Sequence, residues 1–129
     1  MTHGVSLKRI RLEHARTPDF PEGSASHGYE LVAPLTADGH VDAEAWPTVK
    51  ELCHVLRFWG DEPEQRGLLA HTRHGWCFLY GASRDAGEEP VFKLDRHRFE
   101  PGDYVTVTEP DGAQHPFRVA AVTPALPAE

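Results

Sequence analysis

Hydrophobic and polar residues alternate along several short stretches of the chain. Every second position is apolar in residues 29–35, and Ile10 and Leu12 show the same alternation within residues 9–14. Side chains alternate between the two faces of a strand, so this period of two predicts half-buried β-strands. Residues 76–80 are apolar at nearly every position, which is typical of a strand covered on both faces.

Residues 43–52 favour a helix, because their apolar positions recur at nearly helical spacing. Asp42 is suited to the N-cap, and Thr48 with Glu51 matches the capping-box pattern. A further strand, apolar on both faces, is expected to follow over residues 53–59. We therefore predict one short helix that leads directly into a strand.

The stretch PGDYVTVTEPDGAQHPFRVAAV, residues 101–122, predicts a β-hairpin. Pro110 and Gly112 suit a tight turn, since proline presets φ and glycine accepts a left-handed backbone. Apolar residues share one parity on each side of this turn, namely Val105 and Val107 before it and Phe117, Val119 and Ala121 after it. These residues are expected to face the core.

Together these patterns predict an all-β fold, a small single-domain β-barrel of about six to seven strands with one short helix. The domain spans residues 1–129. Residues 17–28 and 81–90 are rich in Gly, Pro, Ser and charged residues and are expected to be long loops, and residues 123–129 are expected to be a frayed tail. A strand of residues 67–72 is expected to form a hairpin with the strand of residues 76–80.

The charge and the composition of the chain argue against several classes of protein. Thirteen basic and twenty acidic residues give a formal net charge of −7, which argues against binding double-stranded nucleic acid. No stretch has the roughly 20 apolar residues of a membrane span. The two cysteines are too few for a secreted disulfide framework, and no apolar signal segment opens the chain. A cytoplasmic protein is therefore expected.

One histidine carries a family resemblance. Pro110, Gly112 and His115 stand as P-x-G-x-x-H, with Gly102 and Asp103 before them. Residues 102–119 are thus similar to the second motif of the cupin family. The resemblance implies a metal-binding barrel with His115 as a ligand, although the family's first motif, His-x-His followed by Glu, has no counterpart here. As a whole, the chain resembles small bacterial proteins without an assigned activity.

A second candidate metal site lies in residues 71–77. His71, His74 and Cys77 follow each other at three-residue intervals, and Cys53 could supply a fourth ligand for zinc. The alternative is that both cysteines are buried free thiols and both histidines lie on the surface. A divalent metal is therefore an open alternative, and no cofactor is otherwise expected.

No catalytic signature was found: the chain has no G-x-S-x-G and no phosphate-binding glycine motif. The leading hypothesis is a non-enzymatic ligand- or protein-binding module. Its candidate binding residues are the strand aromatics and one histidine: Trp59, Trp76, Phe78, Tyr80 and His115.

Two alternative functions stay open. One is a metal-dependent cupin-like enzyme with His115 and His71 or His74 as ligands. The other is a single-stranded nucleic-acid-binding barrel that uses Arg9 and Arg11 of the basic first strand. The partner is expected to be a protein or a small molecule, and a homodimer is a further alternative.

Overall fold

A computed structural model describes residues 7–18, 20–72, 75–80, 88–90, 98–108 and 114–125. Its strands form one antiparallel sheet that curls into a half-barrel. The strands are β1 (Leu7–His14), β2 (Ser24–Pro34), β3 (His54–Trp59), β4 (Glu62–Thr72), β5 (Gly75–Tyr80), β6 (Glu88–Pro90), β7 (Tyr104–Thr108) and β8 (Gln114–Pro124). The predicted all-β, barrel-like class with one short helix is confirmed.

The order of strands across the sheet is β6-β5-β4-β3-β2-β1-β8-β7. Successive strands from β1 to β6 pair with each other, and so do β7 and β8. Strands β6 and β7 lie at opposite ends of this order, and the pairing of β1 with β8 joins the last hairpin to the other strands. The predicted hairpin between residues 67–72 and 76–80 is present as β4 and β5, in which Leu69 pairs with Phe78.

The core lies on the concave face of the sheet, towards which the alternating apolar side chains of the strands point. The largest fully buried side chains include Tyr29, Phe78 and Phe117, and their neighbours are aliphatic residues from every long strand. Tyr29 lies between the other two rings, with centroid distances of 5.1 Å to each. Offset and edge-on ring pairs of this kind stabilise a core beyond the area that they bury.

Strand β1 carries two irregularities, and one of them changes a predicted core position. Arg11 pairs with Ala121 but Leu12 pairs with Val119, so β8 has one extra residue at this point. The bulge changes which residues of β8 face inward. Val122 therefore packs against the core, whereas strict alternation predicts Ala121 at this place.

The helix is shorter than the sequence predicts. Helix α1 covers Trp46–Val49, and a 3-10 turn, Lys50–Leu52, follows it. Asp42 is not the N-cap, although its Oδ1 accepts a hydrogen bond of 3.1 Å from the amide of Ala45. No side-chain hydrogen bond caps either helical element, so the expected capping box is not formed.

The loops also differ from the prediction. Strand β2 begins at Ser24 and takes in the last five residues of the expected loop 17–28, because these residues pair with β1 and β3. Strand β8 continues to Pro124, into the expected tail. The predicted turn at 109–113 and most of the expected loop 81–90 lie outside the described residues.

In the part of the chain that is described, no helix is long and apolar enough to cross a membrane.

Both cysteines are buried, and neither forms a disulfide. Cys53 has no exposed surface, and burial raises the pKa of its thiol from 9.0 to about 11. We expect native Cys77→Ala protein to react with a disulfide reagent at pH 8 at least about 100-fold more slowly than unfolded protein, since two pKa units alone lower the thiolate fraction by that factor.

The same pKa has a consequence for stability. A folded-state pKa above the unfolded value stabilises the native state below pH 9, and this contribution is lost as the pH rises towards 11. Urea denaturation of Cys77→Ala and of Cys53→Ala/Cys77→Ala protein measures it. Equal alkaline losses of stability in the two variants would contradict the assignment to Cys53.

Candidate functional site

Two histidines meet at one end of the half-barrel. His14 is the last residue of β1 and has the inward parity of Leu12, so that only 3% of its surface is exposed. His115 lies on β8, with the inward parity of Phe117. The Nε2 atom of His14 is 3.3 Å from Nδ1 of His115, and the Nδ1 atom of His14 is 2.8 Å from the carbonyl oxygen of Ala15.

When both histidines are neutral, these two contacts determine which ring nitrogens carry a hydrogen. A carbonyl oxygen can only accept, so Nδ1 of His14 carries the hydrogen and its Nε2 is an acceptor. His115 must then donate from Nδ1, which leaves a lone pair on its Nε2. The pair is thus a hydrogen-bonded chain from Ala15 through His14 to His115.

Aromatic rings surround the histidine pair. Phe20 and Trp59 lie 4.2 Å and 5.7 Å from the His14 ring, measured between centroids. His27, whose Nδ1 is 2.7 Å from the hydroxyl of Ser24, contacts both of these rings, at 4.7 Å from Phe20 and 4.8 Å from Trp59. The result is a histidine–aromatic cluster, made of His14, Phe20, His27, Trp59, His115 and Phe117.

A buried arginine lies on the same side of β3 as Trp59. The guanidinium of Arg57 is 4.3 Å from the centroid of the Trp59 ring, and its Nη1 is 3.8 Å from the carboxylate of Glu62. A cation over an indole face is attracted by the electron density of the ring. This contact holds the indole of Trp59 in place against the histidines.

A polar cleft of about 550 Å³ opens beside His14, which forms part of its wall. Strands β1, β2, β7 and β8 and the segment between β1 and β2 contribute to it. Its charged and polar side chains are Glu13, Arg16, Glu22, Ser24, Tyr104 and Arg118. We call this space the polar cleft.

The charges around the polar cleft are partly paired. The carboxylate of Glu13 is 2.8 Å from Nε of Arg11 and 3.9 Å from Nη2 of Arg118. Arg16 and Glu22 are both exposed, and neither forms an ion pair with a residue that the structure describes. Within the described part of the chain, Arg16 and Glu22 therefore bring one cation and one anion without an ion-pair partner to the same cleft.

The predicted site residues fall into separate places. Trp59 and His115 belong to the histidine–aromatic cluster, at a centroid distance of 6.2 Å. Trp76 and Phe78 are buried in the core. The strand β5 includes Tyr80, whose side chain lies outside the described residues.

The proposed zinc ligands are only partly described. The His71 ring is exposed and stacks on Trp76, with centroids 4.1 Å apart and planes 4° from parallel, and Cys77 is buried. His74 lies outside the described residues. His71 lies against Trp76, whereas His115 belongs to the histidine–aromatic cluster. Among the residues that can be described, no group of three or more His, Cys, Asp or Glu is arranged to hold a metal ion.

The arginines proposed for nucleic-acid binding have partners on the outer face of the sheet. Nη1 of Arg9 is 3.8 Å from the carboxylate of Glu30. The guanidinium of Arg11 lies over the ring of Phe58, at 4.5 Å from its centroid, and so covers the aromatic face on which a base would stack.

Sequence reasoning missed two central members of the cluster. His14 continues the apolar parity of Ile10 and Leu12, and this signal was present in the sequence. Phe20 lies in a predicted loop and shows no periodic signal. It reaches His14 because a local turn, in which the amides of Thr17 and Phe20 each bond the other's carbonyl at 3.0 Å, folds the segment back.

Comparisons of the chain with family models, with curated protein sequences and with solved structures find no match. The chemistry of the polar cleft and of its surroundings is therefore the basis for the functional argument.

Proposed function

We propose that the protein is a non-enzymatic binding module that takes a small zwitterionic molecule, such as an amino acid or a short peptide, into the polar cleft. The observation that carries the proposal is the polar cleft itself, which opens beside a buried histidine held by hydrogen bonds at both ring nitrogens. A wall fixed before binding lowers the entropy lost when a ligand is ordered. Two buried cysteines that form no disulfide support a reducing, cytoplasmic location for this module.

The class of ligand follows from the charges. Arg16 attracts a carboxylate and Glu22 attracts an ammonium group, while Glu13 is already neutralised by its arginine neighbours. A ligand with both charges compensates both residues, whereas a ligand with one charge leaves the other side chain uncompensated. Ser24 and Tyr104 supply hydroxyl groups along the same wall. His115 acts as a positioning residue, because it contacts His14 and not the cleft.

The proposal predicts a charge-selective ligand profile. We expect saturation-transfer NMR to detect amino acids and dipeptides, and not the carboxylate or amine of the same skeleton. Arg16→Gln and Glu22→Gln should each weaken binding at least about tenfold, because a charge-assisted contact contributes about 1.5–3 kcal/mol. Arg66→Gln, a substitution at an exposed arginine outside the cleft, is the matched control and should leave binding unchanged.

Two results would overturn the proposal. One is the absence of binding by every member of the panel at millimolar concentration. The other is equal binding by zwitterions and by their singly charged analogues, which would mean that Arg16 and Glu22 do not select the ligand.

A further inference from the structure

A serine and a histidine are in contact at the start of β2. The hydroxyl oxygen of Ser24, Oγ, is 2.7 Å from Nδ1 of His27. The amide of Ser26 donates a hydrogen bond of 3.2 Å to the same oxygen. A hydroxyl group carries one hydrogen and two acceptor lone pairs, so Ser24 can accept from Ser26 and still donate its hydrogen to His27. The pair therefore has the contact that a nucleophilic serine makes with its base.

Packing holds the His27 ring in the orientation of this contact. The ring lies against Phe20 and Trp59, with centroids 4.7 Å and 4.8 Å away, and its plane is at 89° to that of Trp59. The backbone of Gly60 is close to the other ring nitrogen, because a β-carbon on Gly60 would lie 3.0 Å from Nε2. Two rings and a stretch of backbone thus orient the histidine, which is the role of the third group beside other nucleophile–base pairs.

Ser24 also lines a space that a reactant can enter. It is only partly buried, and it forms part of the wall of the polar cleft together with Arg16 and Tyr104. The cleft volume of about 550 Å³ is within the range of sites that take small molecules. Because His27 belongs to the histidine–aromatic cluster, Ser24 is the residue through which that cluster meets the polar cleft.

We propose that Ser24 is a nucleophile that takes up an acyl group from an activated ester, with His27 as its base. Ser24 Oγ forms a bond to the acyl carbon, and the bond from that carbon to the leaving alcohol oxygen breaks. The hydroxyl proton moves to Nδ1 of His27 and then to the departing oxygen. The products are a Ser24 ester and the free alcohol, so no further reactant is needed.

This covalent step goes beyond the reversible binding proposed above and does not require a zwitterionic reactant. It uses the neutral histidine with its hydrogen on Nε2, since Nδ1 must accept the proton of Ser24. The base removes this proton while the new bond forms, so the attacking oxygen does not accumulate positive charge. The inference concerns one covalent event per chain and not a turnover.

An alkyl fluorophosphonate tests the assignment. It reacts with a nucleophilic serine by the same attack, with loss of fluoride, and peptide mass spectrometry locates the adduct. We expect Ser24 to be labelled at least about 100-fold faster than the exposed Ser26, because a positioned base accelerates such a step by about 100-fold or more. Ser26→Ala is the matched control: it keeps the backbone amide that contacts Ser24, and Ser24 should be labelled as in the wild type.

His27→Asn separates a base from a structural contact. The asparagine amide can hydrogen-bond to Oγ of Ser24 but is not basic, so labelling of Ser24 should fall at least about 100-fold. Circular dichroism establishes that the variant is folded. Equal labelling of Ser24 and Ser26 in the wild type would overturn the inference, and so would a folded His27→Asn protein that is labelled as fast as the wild type.

Saturation-transfer NMR on the same protein keeps this inference separate from the proposed ligand class. A protein that binds amino acids but is not labelled at Ser24 contradicts the role of Ser24 alone. Labelling of Ser24 in a protein that binds no zwitterion supports the role of Ser24 and contradicts the proposed ligand class alone.

Discussion

Replacing Gly28 by alanine is expected to destabilise the protein by about 3 kcal/mol or more. A β-carbon at this position would lie 1.9 Å from the carbonyl oxygen of Leu12 and 3.0 Å from its carbonyl carbon. The second irregularity of β1, between Glu13 and His14, occurs where this strand pairs with Gly28, so the obstacle is backbone and not a movable side chain. Urea denaturation followed by circular dichroism measures the loss.

The matched control is Gly102→Ala. Gly102 has φ of 100° and no atom within 4 Å of an added β-carbon, so alanine there meets backbone strain without a collision. This strain costs about 1–3 kcal/mol. A Gly28→Ala protein with wild-type stability would show that β1 and β2 do not approach each other as closely as described.

Replacing Phe117 by alanine should cost about 3–5 kcal/mol of unfolding free energy, because it opens a cavity in the core. Phe117 is fully buried and contacts Tyr29 and His14 at centroid distances of 5.1 Å. Since the same ring supports His14, the variant should also lose ligand affinity in the polar cleft. Thermal unfolding and denaturant titration measure the first effect, and saturation-transfer NMR measures the second.

Two further variants serve as controls for Phe117→Ala. Phe117→Leu retains most of the buried volume and should cost less than half as much. Tyr104→Ala removes an exposed ring and should change stability by less than about 1 kcal/mol. If Phe117→Ala were no more harmful than Tyr104→Ala, the assignment of Phe117 to the core would be wrong.

The sequence predicts strands well wherever one face is buried. Leu12, Tyr29 and Val119 occupy inward positions that alternation identifies without knowledge of the fold. Alternation fails at Ala121, because the bulge opposite Arg11 depends on how β8 pairs with β1 and not on either strand alone. Strand β2 begins earlier than expected for the same reason, since Ser24 is placed by its pairing with His14.

The candidate site was harder to predict because its members are distant in the sequence. His14 and His115 are 101 residues apart, and only the pairing of β1 with β8 brings them into contact. The sequence shows which face of its strand each histidine occupies, but it does not show that the two histidines lie close together. The exposure of Leu52 was not predicted either, since it follows from a 3-10 turn where a regular helix was expected.

The pairing of β1 with β8 also affects how the protein emerges from the ribosome. Strand β2 follows β1 closely along the chain and pairs with one of its sides, but the other side of β1 pairs with a strand made about a hundred residues later. Until β8 is released, the nascent chain carries an unpaired strand edge next to the apolar side chains of Ile10 and Leu12. Such contacts of high sequence separation slow folding, and they make the interval before β8 is synthesised the period in which chaperone protection matters most.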